Sequence, residues 1–184
     1  MKPVILLMLI IILASCTQFG KITYKFSDKP AKIECNTATD ALLNEALYSF
    51  EEDILTKYDS TNKRSSAAYA RFIYNGISGT EDYKSIANPH SLQIKDALLA
   101  KGILSNSGGK SNLNYQHPDV ACIIDNIEDP DLKRTIQALI SIDGMDPALF
   151  NDRLRNAGST MANSPNKAAY VALDAYYQNL VNLE

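Results

Sequence analysis

Apolar residues recur at helical spacing through most of this chain. Over residues 39–58 they follow one another at steps of one, three and four, which places them on a single helix face, and polar residues occupy the opposite face. Thr39 is a suitable N-cap for this first helix. A second helix is predicted over residues 65–77, and Gly76 and Gly79 mark its end.

Five prolines mark the starts of the later helices, because proline is tolerated in a first helical turn. Four of them follow Asn, Asp or Ser, which are good N-caps, and the fifth follows His117, a weaker one. The helical runs that they open are 90–102, 118–127, 130–142, 147–156 and 165–182. With the first two helices, these runs bring the predicted total to about seven. Glycines suited to C-terminal caps follow three of the elements, at Gly102, Gly144 and Gly158.

One stretch departs from the helical pattern. Residues 21–26, KITYKF, alternate between polar and apolar, which is the period of a strand. No second strand-like segment is present to pair with it, so we interpret this region as an extended tether that can lie on the domain. The expected fold is therefore all-α: an irregular bundle of about seven helices over residues 36–184, preceded by a short tether over residues 16–35.

The first residues have the organisation of a secretory signal. Lys2 supplies the positive n-region, and an unbroken apolar stretch over residues 4–13 supplies the h-region. The stretch is about half of the roughly 20 residues needed to span a bilayer. We expect residues 1–15 to be removed as a signal peptide.

The end of this leader, Leu13-Ala14-Ser15-Cys16, resembles the lipobox of bacterial lipoproteins. The resemblance implies that Cys16 becomes the first residue of the mature chain and carries the acyl groups, palmitate among them. Several acyl chains anchor a protein stably, whereas one chain is marginal. Thr17 stands where family members retained at the inner membrane often have aspartate, so the resemblance points to the outer membrane of a diderm bacterium. An ordinary secreted protein and an uncleaved anchor are the alternatives.

Charge argues against a nucleic-acid partner. Removal of the leader would leave 169 of the 184 residues and, through the loss of Lys2, change the formal net charge from −3 to −4. The chain has no basic block, and proteins that bind phosphate backbones need one. The expected membrane attachment is therefore the lipid and not a basic surface.

Two cysteines remain in the mature chain, Cys35 and Cys122, 87 positions apart. In an oxidising envelope they are expected to form a disulfide, with two buried free thiols as the alternative. There is no Cys-x-x-Cys motif, and His90 and His117 lie at no metal-ligand spacing from either cysteine. We therefore predict no metal, no redox site and no cofactor.

Two motifs invite functional interpretations that their spacing does not support. GGKS at 108–111 ends like a P-loop, but Leu104 stands where that loop requires its first glycine. The acidic stretch at 125–131 has Pro130 and Ile136 where a calcium-binding EF-hand requires glycine and glutamate. We interpret the first as a polar surface loop and the second as a junction between two helices.

Candidates for catalysis are few. His90 and His117 are possible acid–base groups, but both lie at helix starts, and no Gly-x-Ser-x-Gly motif supplies a nucleophile. Glu51 and Glu52 are adjacent on a helix and point in different directions, so they do not form a catalytic pair.

The chain has ten tyrosines and no tryptophan, a pattern that favours tyrosines at the edge of a helical core over an interface. The tyrosines concerned are Tyr69, Tyr74, Tyr170, Tyr176 and Tyr177.

Three functions remain open, and no catalytic residue is assigned. The leading hypothesis is a non-enzymatic envelope lipoprotein that binds or assembles with another envelope protein. The first alternative is a periplasmic carrier with a small-ligand pocket between helices. The second is a hydrolase of envelope polymers, which requires His90 or His117 to meet a carboxylate or hydroxyl in a cleft.

Overall fold

The computed structural model describes residues 22–106, 111–145, 154 and 158–183. The first two ranges contain six helices: α1 (Asp40–Tyr58), α2 (Ser65–Ile77), α3 (Tyr83–Ile86), α4 (Pro89–Ala100), α5 (Pro118–Asp125) and α6 (Pro130–Ser141). A 3₁₀-helix follows at Gly158–Asn163. Helix α7 (Pro165–Val171) then continues through a π-helix (Ala172–Tyr177) into a last turn, Gln178–Leu180. We call residues 165–180 the C-terminal helix.

The predicted all-α class is confirmed. Within the described ranges the β pairing is limited to one antiparallel bridge between Leu104 and Leu113. The strand pattern at residues 21–26 is misleading, because residues 22–26 form no strand. Helix α3 has no counterpart in the sequence prediction, since four residues are too few to show a period. The helix predicted over residues 147–156 lies outside the described residues except at position 154.

Side-chain caps start three of the helices that begin with proline. Asn88 Oδ1 accepts the first two free backbone N–H groups of α4, at 2.7 and 3.0 Å. Asp129 Oδ1 does the same for α6, at 3.1 and 3.0 Å. His117, expected to be a weak cap, accepts the Asp119 N–H on Nδ1 at 3.2 Å.

Two other predicted caps are wrong. Ser164 forms no capping hydrogen bond at the start of α7. Thr39 forms none at the start of α1 either, because its hydroxyl donates to the Asp119 carboxylate of α5 instead. A long-range partner has replaced the local one, and the bond connects two helices.

The C-terminal helix is buried on nearly all sides. Tyr170, Val171, Tyr176 and Tyr177 are each at most 1 % exposed. Rings from the first two helices pack against Tyr176: the centroid of Phe50 lies 5.2 Å away and that of Phe72 lies 6.1 Å away. A helix that is apolar all round belongs in a core, and α1 and α2 pack around this one.

The N-terminal segment, residues 22–35, lies along α1. Asn44 Oδ1 accepts the backbone N–H groups of Lys32 and Ile33 at 2.6 and 3.0 Å, and its Nδ2 donates to the Ile33 carbonyl. The Glu45 carboxylate accepts two further backbone N–H groups of this segment. Residues 22–35 of the region interpreted as a tether thus lie on the domain, as that interpretation allowed.

A disulfide joins Cys35 to Cys122, with the two Cα atoms 5.9 Å apart. This is the pairing that the sequence predicts. It attaches the end of the N-terminal segment to α5, so the segment is fixed to the domain covalently as well as by hydrogen bonds.

Candidate functional site

The C-terminal helix borders a pocket where it becomes a π-helix. π-Helical turns are rare and often occur at functional sites. Val171, Asp174 and Ala175 reach the wall of this pocket, whereas Tyr176 and Tyr177 face the core. The π-helix thus carries one acidic side chain on its pocket side.

We call this site the Asp174 pocket. It has a volume of about 180 Å³ and is partly open to solvent. Helix α2 forms one wall, the C-terminal helix forms the other, and α3 and Leu154 contribute at the sides. The lining residues are Phe72, Ile73, Gly76, Ile77, Tyr83, Leu154, Val171, Asp174, Ala175 and Asn179. Most of this surface is apolar.

Asp174 is only 4 % exposed. Its Oδ1 accepts hydrogen bonds from the Tyr115 hydroxyl and from Gln178 Nε2, the latter at 3.0 Å. Gln178 in turn accepts the Ser111 hydroxyl at 2.6 Å. The loop before α5 therefore holds one carboxylate oxygen in a defined orientation.

The second oxygen, Asp174 Oδ2, accepts no hydrogen bond from the residues that the structure describes. The Tyr170 hydroxyl, one turn earlier, is close enough to lower the pKa of the carboxyl, yet it forms no hydrogen bond of its own. Burial is the largest influence, and it raises the pKa of Asp174 above its ordinary value of 3.8. The pocket wall thus contains a buried carboxyl group that is satisfied on one side only.

Two tyrosines near this carboxyl keep their protons at neutral pH. Burial, with the charges of Glu81 and Asp174, raises the pKa of Tyr83 to about 12. Burial and the Asp174 charge also raise the pKa of Tyr115. Tyr115 uses its proton to donate to Asp174 Oδ1, whereas the Tyr83 hydroxyl faces the pocket as a protonated group.

A second buried carboxyl, Asp53, is fully satisfied. Its Oδ1 accepts Asn88 Nδ2 at 2.6 Å, and its Oδ2 accepts the hydroxyls of Ser91 and Tyr176. Burial raises the pKa of Asp53, and these hydrogen bonds oppose the increase. The arrangement joins α1, α4 and the C-terminal helix, so we assign it a structural role.

Both histidines contact carboxylates. His90 Nε2 lies 2.6 Å from Glu45 Oε1, and His117 Nδ1 lies 3.6 Å from Asp119 Oδ2. These contacts meet part of the condition set for a hydrolase. Glu45, however, is also bonded to backbone N–H groups of the N-terminal segment, and His117 caps α5. The first pair therefore helps to hold the N-terminal segment on α1, and the second lies at the capped start of α5.

The acidic stretch at 125–131 and the pair Glu51 and Glu52 form contacts within the protein that account for their charged side chains. Asp125 Oδ1 accepts Gln137 Nε2 at 2.8 Å, and Asp129 caps α6. Glu51 and Glu52 pair with lysines of the N-terminal segment. Three of the GGKS residues, 108–110, lie outside the described ranges. No group of three or more His, Cys, Asp or Glu side chains suited to a metal occurs within those ranges.

Four of the five tyrosines singled out from the sequence are core residues, as predicted. Tyr69, Tyr170, Tyr176 and Tyr177 are at most 1 % exposed, whereas Tyr74 is 55 % exposed.

The lipidation prediction falls on Cys16, which lies outside the described residues together with the leader. Among the helices that the structure describes, none is both long enough and apolar enough to cross a bilayer. Attachment through Cys16 stays a prediction.

No protein-family model, curated protein or solved structure matches this chain. The argument for function therefore depends on the site itself.

The sequence analysis did not identify Asp174. One signal was present: Asp174 is the only charged residue in the apolar run AAYVALDAYY at 168–177. A charge at an otherwise apolar position of a buried helix needs either a partner or a function.

Proposed function

We propose that this protein is a lipid-anchored protein of the bacterial cell envelope that binds a small, mostly apolar ligand in the Asp174 pocket and does no chemistry on it. The observation that carries the proposal is the pocket, which combines apolar walls with one buried, half-satisfied carboxyl. Binding sites commonly combine a hydrophobic lining with a few placed polar groups. This observation moves the carrier hypothesis ahead of the protein-partner hypothesis, which stays a prediction.

The size of the pocket limits the ligand. Sites for drug-sized molecules usually measure about 300–1,000 Å³, and the Asp174 pocket measures about 180 Å³. An engineered apolar cavity of about 150 Å³ in another protein holds one benzene molecule. The expected ligand therefore has a single ring or a short branched chain.

The anchor in this proposal is the acylated Cys16. Six residue steps separate Cys16 from Ile22, the first described residue, and an extended chain spans at most about 3.6 Å per residue. Since residues 22–35 are docked on α1, the proposed anchor would hold the domain within roughly 20 Å of the bilayer.

Ligand binding is tested with toluene and benzyl alcohol as probes, followed by NMR of the soluble domain. We expect saturable shifts at pocket residues in the wild type. Ala175→Leu, which fills the pocket, should abolish them, and Ala138→Leu, the same change on the exposed face of α6, should leave them intact. Absence of binding, or equal binding by the Ala175→Leu variant, contradicts the proposal.

The anchor is tested separately in cells. Mass spectrometry of the mature N-terminus should find an acylated Cys16, and Cys16→Ser should move the protein from the membrane fraction to the soluble envelope fraction. An unmodified N-terminus in the wild type contradicts the anchor and leaves the ligand proposal standing.

A further inference from the structure

One oxygen of the Asp174 carboxyl group accepts no hydrogen bond from the part of the chain that the structure describes. Oδ1 holds two hydrogen bonds, from Tyr115 and Gln178, while Oδ2 holds none from the described residues. The side chain is more than nine-tenths buried and lines the pocket. Among the described residues the Tyr170 hydroxyl is the other donor close to this carboxyl, so a ligand in the pocket would meet a carboxyl group with spare acceptor capacity.

The described neighbours of Asp174 favour its ionised form, and none of them is a cation. Tyr115, Gln178 and Tyr170 are uncharged groups that lower the pKa of Asp174, which means that they favour its ionised form. None of the ion pairs among the described residues includes Asp174. A buried carboxylate without a countercharge is costly, and since none of the described residues supplies one, a positively charged group on a ligand would stabilise Asp174.

The remaining walls suit an apolar body. Phe72, Ile73 and Ile77 line the side opposite Asp174, and Leu154 and Val171 add further apolar surface. Phe72 and Tyr83 are aromatic, and aromatic rings attract cations as well as hydrocarbon. The pocket volume leaves room for one ring and a short chain.

We propose that the Asp174 pocket binds a small organic monoamine, whose ammonium group donates to Asp174 Oδ2 and whose apolar body packs against α2. This inference rests on the proposed function, since it names the class of ligand for the same pocket. A neutral alcohol offers one weaker hydrogen bond, and a carboxylic acid would bring a second negative charge next to the first.

The test compares benzylamine with benzyl alcohol, two probes of the same shape, by calorimetry at neutral pH. Hydrogen bonds between charged groups are about twice as strong as neutral ones. We therefore expect the wild type to bind the amine about tenfold more tightly, or better. Asp174→Asn should remove this preference while keeping the affinity for the alcohol. Asp131→Asn, which neutralises an exposed carboxylate of α6, is the matched control and should keep the preference.

A second measurement needs no variant. Since an ammonium group favours ionised Asp174, binding of benzylamine should release protons, and its affinity should rise as the pH rises through the raised pKa of Asp174. Calorimetry in buffers of different ionisation enthalpy measures that release, and benzyl alcohol should cause none. This readout keeps the proposal testable if Asp174→Asn does not fold.

The outcomes separate the two proposals. Binding of both probes with equal affinity, and without proton release, overturns the amine proposal and leaves the pocket as a ligand site. Binding of neither probe overturns both. A preference for the amine that survives in Asp174→Asn assigns the selectivity to another group and overturns the role of Asp174.

Discussion

Individual residues show how two buried carboxyls acquire different roles. Asp53 is 3 % exposed and has donors on both oxygens, so its requirements are met inside the protein. Asp174 is buried to a similar degree and has donors on one oxygen only. Burial is the largest influence on both, and it raises the pKa of each. This difference in hydrogen bonding among the described residues supports a structural role for Asp53, and it is the basis for proposing Asp174 as the group that meets a ligand.

Replacement of Asp174 by asparagine should change the pH dependence of stability without any ligand. The unfolded carboxyl has an ordinary pKa of 3.8, and the folded one has a higher pKa. The folded protein therefore binds more protons in this range, and its free energy of unfolding falls as pH rises above about 4, until the folded carboxyl has also ionised. The Asp174→Asn variant has no carboxyl group at this position, so its free energy of unfolding should not show this fall. Urea denaturation between about pH 4 and 7 should show the wild type weakening relative to the variant.

Asp53 is present in both proteins, so its own titration cancels in this comparison. Asp131→Asn serves as the control, because the exposed Asp131 should give a curve nearly parallel to that of the wild type. Parallel curves for the wild type and Asp174→Asn would mean that Asp174 is not effectively buried.

Helices show which local signals are reliable. The Asn-Pro and Asp-Pro junctions correctly predict the starts of α4 and α6, because a cap and a first-turn proline act on neighbouring backbone groups. Thr39 fails as a cap because its hydroxyl finds Asp119, which is 80 residues away. A capping residue in the sequence therefore predicts a helix start correctly unless a distant residue forms a hydrogen bond with the capping atom.

The two Asn/Asp caps should differ in energetic importance. Asp129→Ala removes the cap of α6 and also the ion pair with the buried Lys167, 3.7 Å away, so it should lower the free energy of unfolding by about 1–2 kcal/mol. Asn88→Ala removes the cap of α4 and also the donor to Asp53 Oδ1, so we expect a loss of about 2–4 kcal/mol. Chemical denaturation of the two variants measures both values. A loss of no more than about 1 kcal/mol in Asn88→Ala, the value expected for a cap alone, would show that the Asn88–Asp53 bond adds nothing to stability.

At the scale of the whole molecule, the N-terminal segment connects two helices that are far apart in the sequence, α1 and α5. This segment is bound to α1 by Asn44 and Glu45 and to α5 by the disulfide between Cys35 and Cys122. Residues that alternate like a strand thus pack on a helix and make no sheet, because within the described ranges no neighbouring strand exists to pair with them.

Loss of the disulfide should destabilise the domain strongly. The bond closes a loop of 87 residues, and the loop-entropy model assigns such a cross-link about 4–5 kcal/mol. We expect this loss in the double variant Cys35→Ser, Cys122→Ser, measured by urea denaturation. Faster proteolysis at the lysines of the N-terminal segment should accompany it.

The reduced wild type provides the control for this prediction. If the bond itself accounts for the effect, reduction and double substitution should lower the free energy of unfolding by the same amount. A loss below about 1 kcal/mol in both would mean that the hydrogen bonds of Asn44 and Glu45 already hold the segment in place.

The sequence by itself determined the features that depend on near neighbours: the helical class and the capped starts of α4 and α6. It also predicted the disulfide between Cys35 and Cys122, the pair that remains if Cys16 is acylated. Only the tertiary structure decided which polar groups are buried and which of them lack a partner. Tyr115 meets Asp174 across 59 residues, and Tyr176 meets Asp53 across 123. Periodicity and capping act within a turn or two, whereas burial and hydrogen-bond satisfaction depend on which distant segments come together.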